Sequence, residues 1–176
     1  MHRTTADLET MLETILAAPK DAGPIEMIVR RPGENQREVV ASGELSTDAG
    51  LVGDNWIDRA GEDPHPGSQL TLMNARFADA VAGSKDRWPL AGDQIYVDMD
   101  LSMSNLPAGT RLEVGNAIIE ISEVPHNGCA KFSGRFGAEA LRFANVGPGR
   151  DNRLRGAYAS VVDGGTFQVG DKVTKL

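Results

Sequence analysis

A-I-I-E-I-S-E-V-P-H-N-G-C-A-K-F-S-G-R-F-G, residues 117–137, decides the fold class and also where to look for chemistry. Its first part, Ala117 to Val124, carries Ile118, Ile119 and Ile121 before Pro125 closes it, and reads as a buried strand. Just upstream, Gly115-Asn116 separates it from Arg111 to Val114, a strong tight-hairpin signal. Behind the strand stands the single cysteine, Cys129, preceded by Gly128, with His126 three residues ahead and Lys131 and Arg135 following. A thiol set among cations has a lowered pKa, so a nucleophilic or metal-binding thiolate is expected there. From Ser133 or Gly137 to Asn145 the spacing of Ala138, Leu141 and Ala144 predicts a helix, whose N-terminus near the sulfur would favour the anion further. The competing reading is a small buried apolar cysteine. The loop setting, after a Pro and a Gly, favours the functional thiol.

Working outward, Thr4 to Ala18 predicts a helix. Thr4 and Asp7 form a capping box, and Leu8, Met11, Leu12, Ile15 and Leu16 make one apolar stripe that suits core packing. From Pro24 the period becomes two: Ile25, Met27 and Val29 alternate with Glu26, Ile28 and Arg30. Arg31-Pro32-Gly33-Glu34-Asn35 reads as a turn, and Glu38 to Leu45 as the returning strand of a hairpin. In G-L-V-G-D-N-W, Gly50 to Trp56, Asp54 could be an acid or a carboxylate bonding local amides in a turn, and the turn is the favoured reading. A polar loop follows over Ile57 to Ser68 and holds His65. Gln69 to Met73 is a strand, Asn74 to Ala82 a helix capped by Asn74, and Gln94 to Met99 a further alternating strand. Gly147 to Arg155 is irregular and basic, and Gly156 to Val162 turns at Asp163-Gly164-Gly165 into Thr166 to Val169, before a last run at Lys172 to Lys175.

About eight short strands with few helices predict a mainly β, β-rich α+β fold: a closed or nearly closed barrel with a few peripheral helices. Residues 1–23 form an N-terminal helical extension packed on the barrel, and residues 24–176 the barrel domain. The 176-residue length suits one core-forming domain. A net charge of −7 argues against a nucleic-acid partner. No apolar run reaches membrane-span length, the N-terminus lacks a signal-peptide pattern, and one cysteine agrees with a reducing cytoplasm. No glycine cluster has dinucleotide-binding spacing. Between Cys129 and Arg155, Lys131, Arg135, Arg142, Arg150, Arg153 and Arg155 stand against only Glu139 and Asp151, a basic island suited to a small anionic cofactor or substrate. Solvated arginines on a helix face are the alternative.

G-L-V-G-D near residue 50, S-N-L-P-A-G-T near 105, H-N-G-C-A-K-F, and the ending R-G-A-Y-A-S-V-V-D-G-G-T-F-Q-V-G-D-K-V together resemble a MOSC domain over residues 24 to 176. The resemblance implies a β-rich barrel and sulfur or molybdenum chemistry. Cys129 would ligate the molybdenum of a molybdopterin cofactor or carry a persulfide, and the protein would reduce N-hydroxylated compounds or transfer sulfur, with a sulfur donor or redox protein as partner. A non-catalytic carrier of sulfur or cofactor is the other form of this reading. Cys129, Lys131, Arg135, Asn105, Arg153 and Arg155 are the expected cofactor-binding residues. The chain departs from the family at His65-Pro66-Gly67, where H-G-G is frequent, and at Met103-Ser104 ahead of Asn105; it carries no pyridoxal-phosphate domain. Two rival patterns share the same residues. Cys129 to Arg135 has the C-x5-R spacing of cysteine-dependent phosphatases, and His65, His126 and Cys129 could form a zinc set.

Overall fold

The computed structural model describes residues 2–59 and 65–176; residues 60–64 of the expected polar loop lie outside the described residues. In chain order the elements are α1 (Thr5–Leu16), β1 (Ala22–Arg30), β2 (Glu38–Val40), β3 (Ser42–Ser46), β4 (Gly50–Leu51), α2 (Trp56–Arg59), β5 (Leu70–Asn74) and α3 (Ala75–Ala82). There follow β6 (Ile95–Val97), β7 (Arg111–Val114), β8 (Ala117–Ile121), α4 (Ala130–Phe136), α5 (Ala138–Asn145), α6 (Pro148–Asp151), β9 (Ala157–Asp163), β10 (Gly165–Gln168) and β11 (Lys172–Lys175).

Seven strands close into a barrel in the order β11-β7-β8-β9-β5-β6-β1, and β1 returns to β11 through pairs such as Gly23 with Val173. Only β5 and β6 run parallel within it, because α3 carries the chain across between them. The expected hairpin at Gly115-Asn116 is present, pairing Val114 with Ala117. A separate sheet, β10-β3-β4, packs its Leu45, Leu51 and Phe167 against the barrel interior.

Strand alternation divides the apolar residues between two cores. Ile28, Leu72, Ile95, Val97, Leu112, Ile119 and Ala159 fill the barrel. Met27, Val29, Met73 and Tyr96 point outward and are covered by Leu8 and Ile15 of α1, Phe77 and Val81 of α3, and Phe132 and Phe136 of α4. Strands buried on both faces read as continuous apolar runs, which explains the sequence of β5 and β6. Simple alternation in β1 would put Ile25 with Met27 and Val29. A bulge between Ile25 and Met27 instead turns Ile25 inward beside Ile28.

The capping box of α1 and the Asn74 cap of α3 form as expected. Three boundaries differ from expectation. The predicted strand Glu38 to Leu45 divides, with β2 on β1 and β3 turning away to pair with β10 and β4. The strand from Ala117 stops at Ile121 because the Ser122 hydroxyl accepts from Val124 N at 3.1 Å and turns the chain. Beyond Cys129 a helix that was not expected, α4, precedes α5, which starts at the later of the two expected positions; the two are separated at Gly137, whose φ of 97° no other residue type adopts without strain. Among the described residues, no helix is long and apolar enough to cross a membrane.

Candidate functional site

The loop after β8 delivers His126, Asn127 and Cys129 to the wall of a cavity of about 550 Å³, within the usual range for small-molecule sites. Cys129 is exposed and occupies the N-cap position of α4. Burial pushes its thiol pKa up, but the Phe132 and Lys131 amides of the first helical turn, with Arg155 and Arg135, outweigh that and hold it below the ordinary thiol value. The sulfur closes no hydrogen bond at the cap, so these amides act as aimed dipoles. Gly128 makes the approach possible. A Cβ there would lie 2.0 Å from Leu141 Cδ1 and 3.3 Å from Arg155 Cδ.

Behind the sulfur lies a buried polar cluster. Arg155 Nη1 donates to Asp93 Oδ2 at 2.7 Å, Nη2 donates to Ala91 O at 3.1 Å, and the guanidinium lies 4.7 Å from the Phe132 ring centroid. His126 Nε2 is 3.4 Å from Asp93 Oδ1, and its ring packs edge-on against Tyr158. Burial brings His126 down to about 4, against the upward pull of Asp93 and with help from Arg155, so the imidazole is neutral near pH 7. Burial, with Asp93, raises Tyr158, so its hydroxyl stays protonated.

The opposite wall comes from the turn after β1 and from α2. The Arg31 guanidinium forms a fork on Asp54, with Nε to Oδ2 and Nη2 to Oδ1 both at 2.8 Å, while Arg31 N also donates to Oδ2. Asp54 Oδ1 accepts from Trp56 N as well, so the turn role read from the sequence is met and an arginine is oriented with it. Arg37 is held by the carbonyls of Pro89 and Gln36. Burial lowers the pKa of Arg37, with Arg135 and Arg31 adding to the effect; burial also lowers Arg59, with Arg31 adding to the effect. Guanidiniums that repel one another in a half-buried wall are what an anion site needs.

Four of the expected site residues therefore meet in one place: Cys129, Lys131, Arg135 and Arg155 line the cavity. Asn105 and Arg153 do not. The Asn105 amide donates to Lys20 O and Asp100 O and accepts from Lys175, while Arg153 donates to Leu101 O and Leu106 O. Arg142 and Arg150 are exposed, as the solvated alternative for the basic island had it. Arg31, Arg37 and Arg59 were not among the expected residues. The signal for Arg31 and Arg37 was the run R-R-P-G-E-N-Q-R, residues 30–37, which concentrates three arginines around one turn; Arg59 stands outside it, at the end of α2.

The C-x5-R spacing forms no phosphate loop. The intervening residues are the helix α4 itself, which separates Arg135 from Cys129 by roughly 9 Å of helical rise. Arg135 donates instead to Leu90 O. The zinc reading fares no better: among the described residues no three His, Cys, Asp or Glu side chains cluster as a metal set. His65 lines the cavity but its Nδ1 caps its own turn, accepting from Gly67 N.

A family model described as "MOSC domain" matches residues 65–174. The chain belongs to the MOSC domain family. That family is associated with molybdenum-cofactor binding. Solved structures of similar fold include YuaD from Bacillus subtilis, with a TM-score of 0.62 and 13% identity over 86% of this chain and 94% of that one. A crystal structure described only as a hypothetical protein gives 0.60 at 19% identity, covering 89% of this chain and 68% of the other. YiiM from Escherichia coli gives 0.56 at 18% identity, covering 87% and 69%. At such identities the likeness concerns the fold. A search of the curated proteins found no match.

The MOSC cavity has a donor set that suits a phosphorylated pterin carrying molybdenum. A thiolate is a soft metal ligand, and the six cationic side chains that line the cavity would suit a phosphate. Three buried polar atoms on the walls also lack partners among the described residues: Asn55 Oδ1, His126 Nδ1 and Arg155 Nε. Buried polar groups normally have partners, so a ligand with both donors and acceptors fits here.

Proposed function

We propose that this MOSC domain holds a molybdenum–pterin cofactor in the cationic cavity, or carries sulfur there, with Cys129 as the residue that bonds to metal or sulfane sulfur. The observation that carries the reading is the position of Cys129: an exposed, pKa-lowered thiol at the head of α4, in the wall of a cavity lined by six cations. Arg37, Arg59 and Arg135 have no carboxylate partner among the described residues and are the candidates for the phosphate. Asn55 and His126 offer acceptors, and Arg155 a donor, to a pterin. When bound, the cofactor would supply two-electron redox chemistry suited to reducing N-hydroxylated compounds. The protonated Tyr158 hydroxyl is a donor on the wall, and the neutral His126 adds no charge there.

The proposal includes a reducing, cytoplasm-like compartment, where a free thiol persists, and a separate donor of sulfur or electrons. The test is loading. Wild type and Cys129→Ser are incubated with molybdenum cofactor from a donor, desalted, and assayed for molybdenum and pterin. Stoichiometric retention by wild type alone is the expected result. Equal retention by both proteins, or none by either, overturns the metal-ligand role and leaves persulfide formation on Cys129 to be assayed by mass. Turnover of an N-hydroxylated substrate by the loaded protein separates a reductase from a non-catalytic carrier.

A further inference from the structure

We infer that Cys129 is a charge-selected thiol–disulfide exchange site, whose preferred partners are small disulfides bearing carboxylates. The inference stands on the cavity's charge rather than on the cofactor. Among the described residues, six cations line the cavity; Glu34 alone of these residues opposes them in the wall, and Asp54 and Asp93 lie behind it as the partners of Arg31 and Arg155, an excess of three positive charges. The Glu34 contact with Lys131 is long, at 3.4 Å, and both side chains are largely exposed, so it offers little hindrance to a competing carboxylate.

The second observation is a lack of internal partners. The side chains of Arg155 and His126 are only 7% and 5% exposed, they line the cavity, and each has a polar atom with no hydrogen-bond partner among the described residues, Nε and Nδ1 respectively. An unsatisfied buried guanidinium N–H beside an exposed sulfur marks a place for an acceptor group of a ligand. The arginines also extend well beyond the thiol. Arg37 feels both Arg135 and Arg31, and Arg59 feels Arg31, so positive charge runs from the sulfur to the far wall. A ligand with more than one carboxylate could engage both ends.

The step balances without any further reagent. Sγ of Cys129, as thiolate, attacks one sulfur of the disulfide, forms a new S–S bond and breaks the old one. The second half leaves with the electron pair as a thiolate and takes a proton from water. Cys129 is oxidised to a mixed disulfide and the departing half is reduced. While the mixed disulfide persists, the sulfur serves neither as metal ligand nor as persulfide carrier, so the reaction gates the proposed function.

Exchange on the wild-type protein is followed by intact mass with glutathione disulfide (anionic), hydroxyethyl disulfide (neutral) and cystamine (cationic). Each rate is divided by that of the same disulfide with a neutral small thiol, which removes leaving-group differences. Because one protein thiol is compared throughout, its own ionisation cancels. The expected order is anionic, neutral, cationic, with a spread of about tenfold or more at low salt that collapses at high salt. The Arg37→Gln/Arg59→Gln double variant should lose most of the spread. Rates independent of charge, or fastest with cystamine, overturn the inference; the wild-type series decides this even if the variant misfolds. Molybdenum retention, measured separately, reports on the cofactor reading, so either idea can fail alone.

Discussion

His126 sets a clear sign for pH dependence. Its folded pKa of about 4 lies below the ordinary value of 6.5, so between those values the unfolded chain binds the extra proton. Stability from this residue is therefore fully present above pH 6.5 and is lost as pH falls toward 4, by about 3 kcal/mol in all. Urea titrations of wild type and His126→Asn across that range should show the difference between them shrinking as pH falls; a constant difference would contradict the assignment. Arg155 makes a second case. Arg155→Met leaves Asp93 buried without its cation and should cost about 3–5 kcal/mol. It should also slow alkylation of Cys129, because a positive neighbour of the thiolate is gone. Cys129→Ser, at an exposed position, should change stability by no more than about 0.5 kcal/mol; a large loss would restore the buried-cysteine reading.

At the scale of elements, the arm from β8 through α5 owes its shape to two glycines, Gly128, which packs against Leu141 of α5, and Gly137. Gly137, at φ 97°, makes two helices from what would otherwise be one, and thereby lets Phe132 and Phe136 turn onto the barrel wall. Gly137→Ala should destabilise by about 1–2 kcal/mol, read from the thermal or urea midpoint. The later helix was legible, since Ala138, Leu141 and Ala144 all lie beyond Gly137, one of its two expected starts; the short α4 ahead of the glycine was not. The hairpin at Gly115-Asn116 and the caps at Thr4 and Asn74 were legible, because each is decided by residues within a few positions of one another.

For the molecule as a whole, closure depends on β11. Val173 is fully buried and stands between Gly23 of β1 and Val114 of β7, so the last strand closes the ring between those two. Val173→Asp would bury an unpaired carboxylate in that seam and should cost more than about 4 kcal/mol, enough to abolish a cooperative urea transition in a protein of ordinary stability. The cavity is likewise a product of the whole. Its two walls come from residues far apart in the chain, Arg31 to Arg59 on one side and His126 to Tyr158 on the other.

The sequence by itself determined the β-rich barrel, the capped helices, the tight hairpin and the thiol at Cys129 with its local cations. Each of these rests on short-range periodicity or on neighbours a few residues away, and the same is true of the Asp54 turn. Only the tertiary structure decided that Asp54 aims Arg31, that Asp93 holds Arg155, that Arg37 and Arg59 face Cys129, and that Asn105 and Arg153 serve elsewhere. Barrel closure is what brings distant loops to one rim, and a guanidinium's role follows from which carboxylate or carbonyl it meets there. Spacing along the chain carries no record of that meeting.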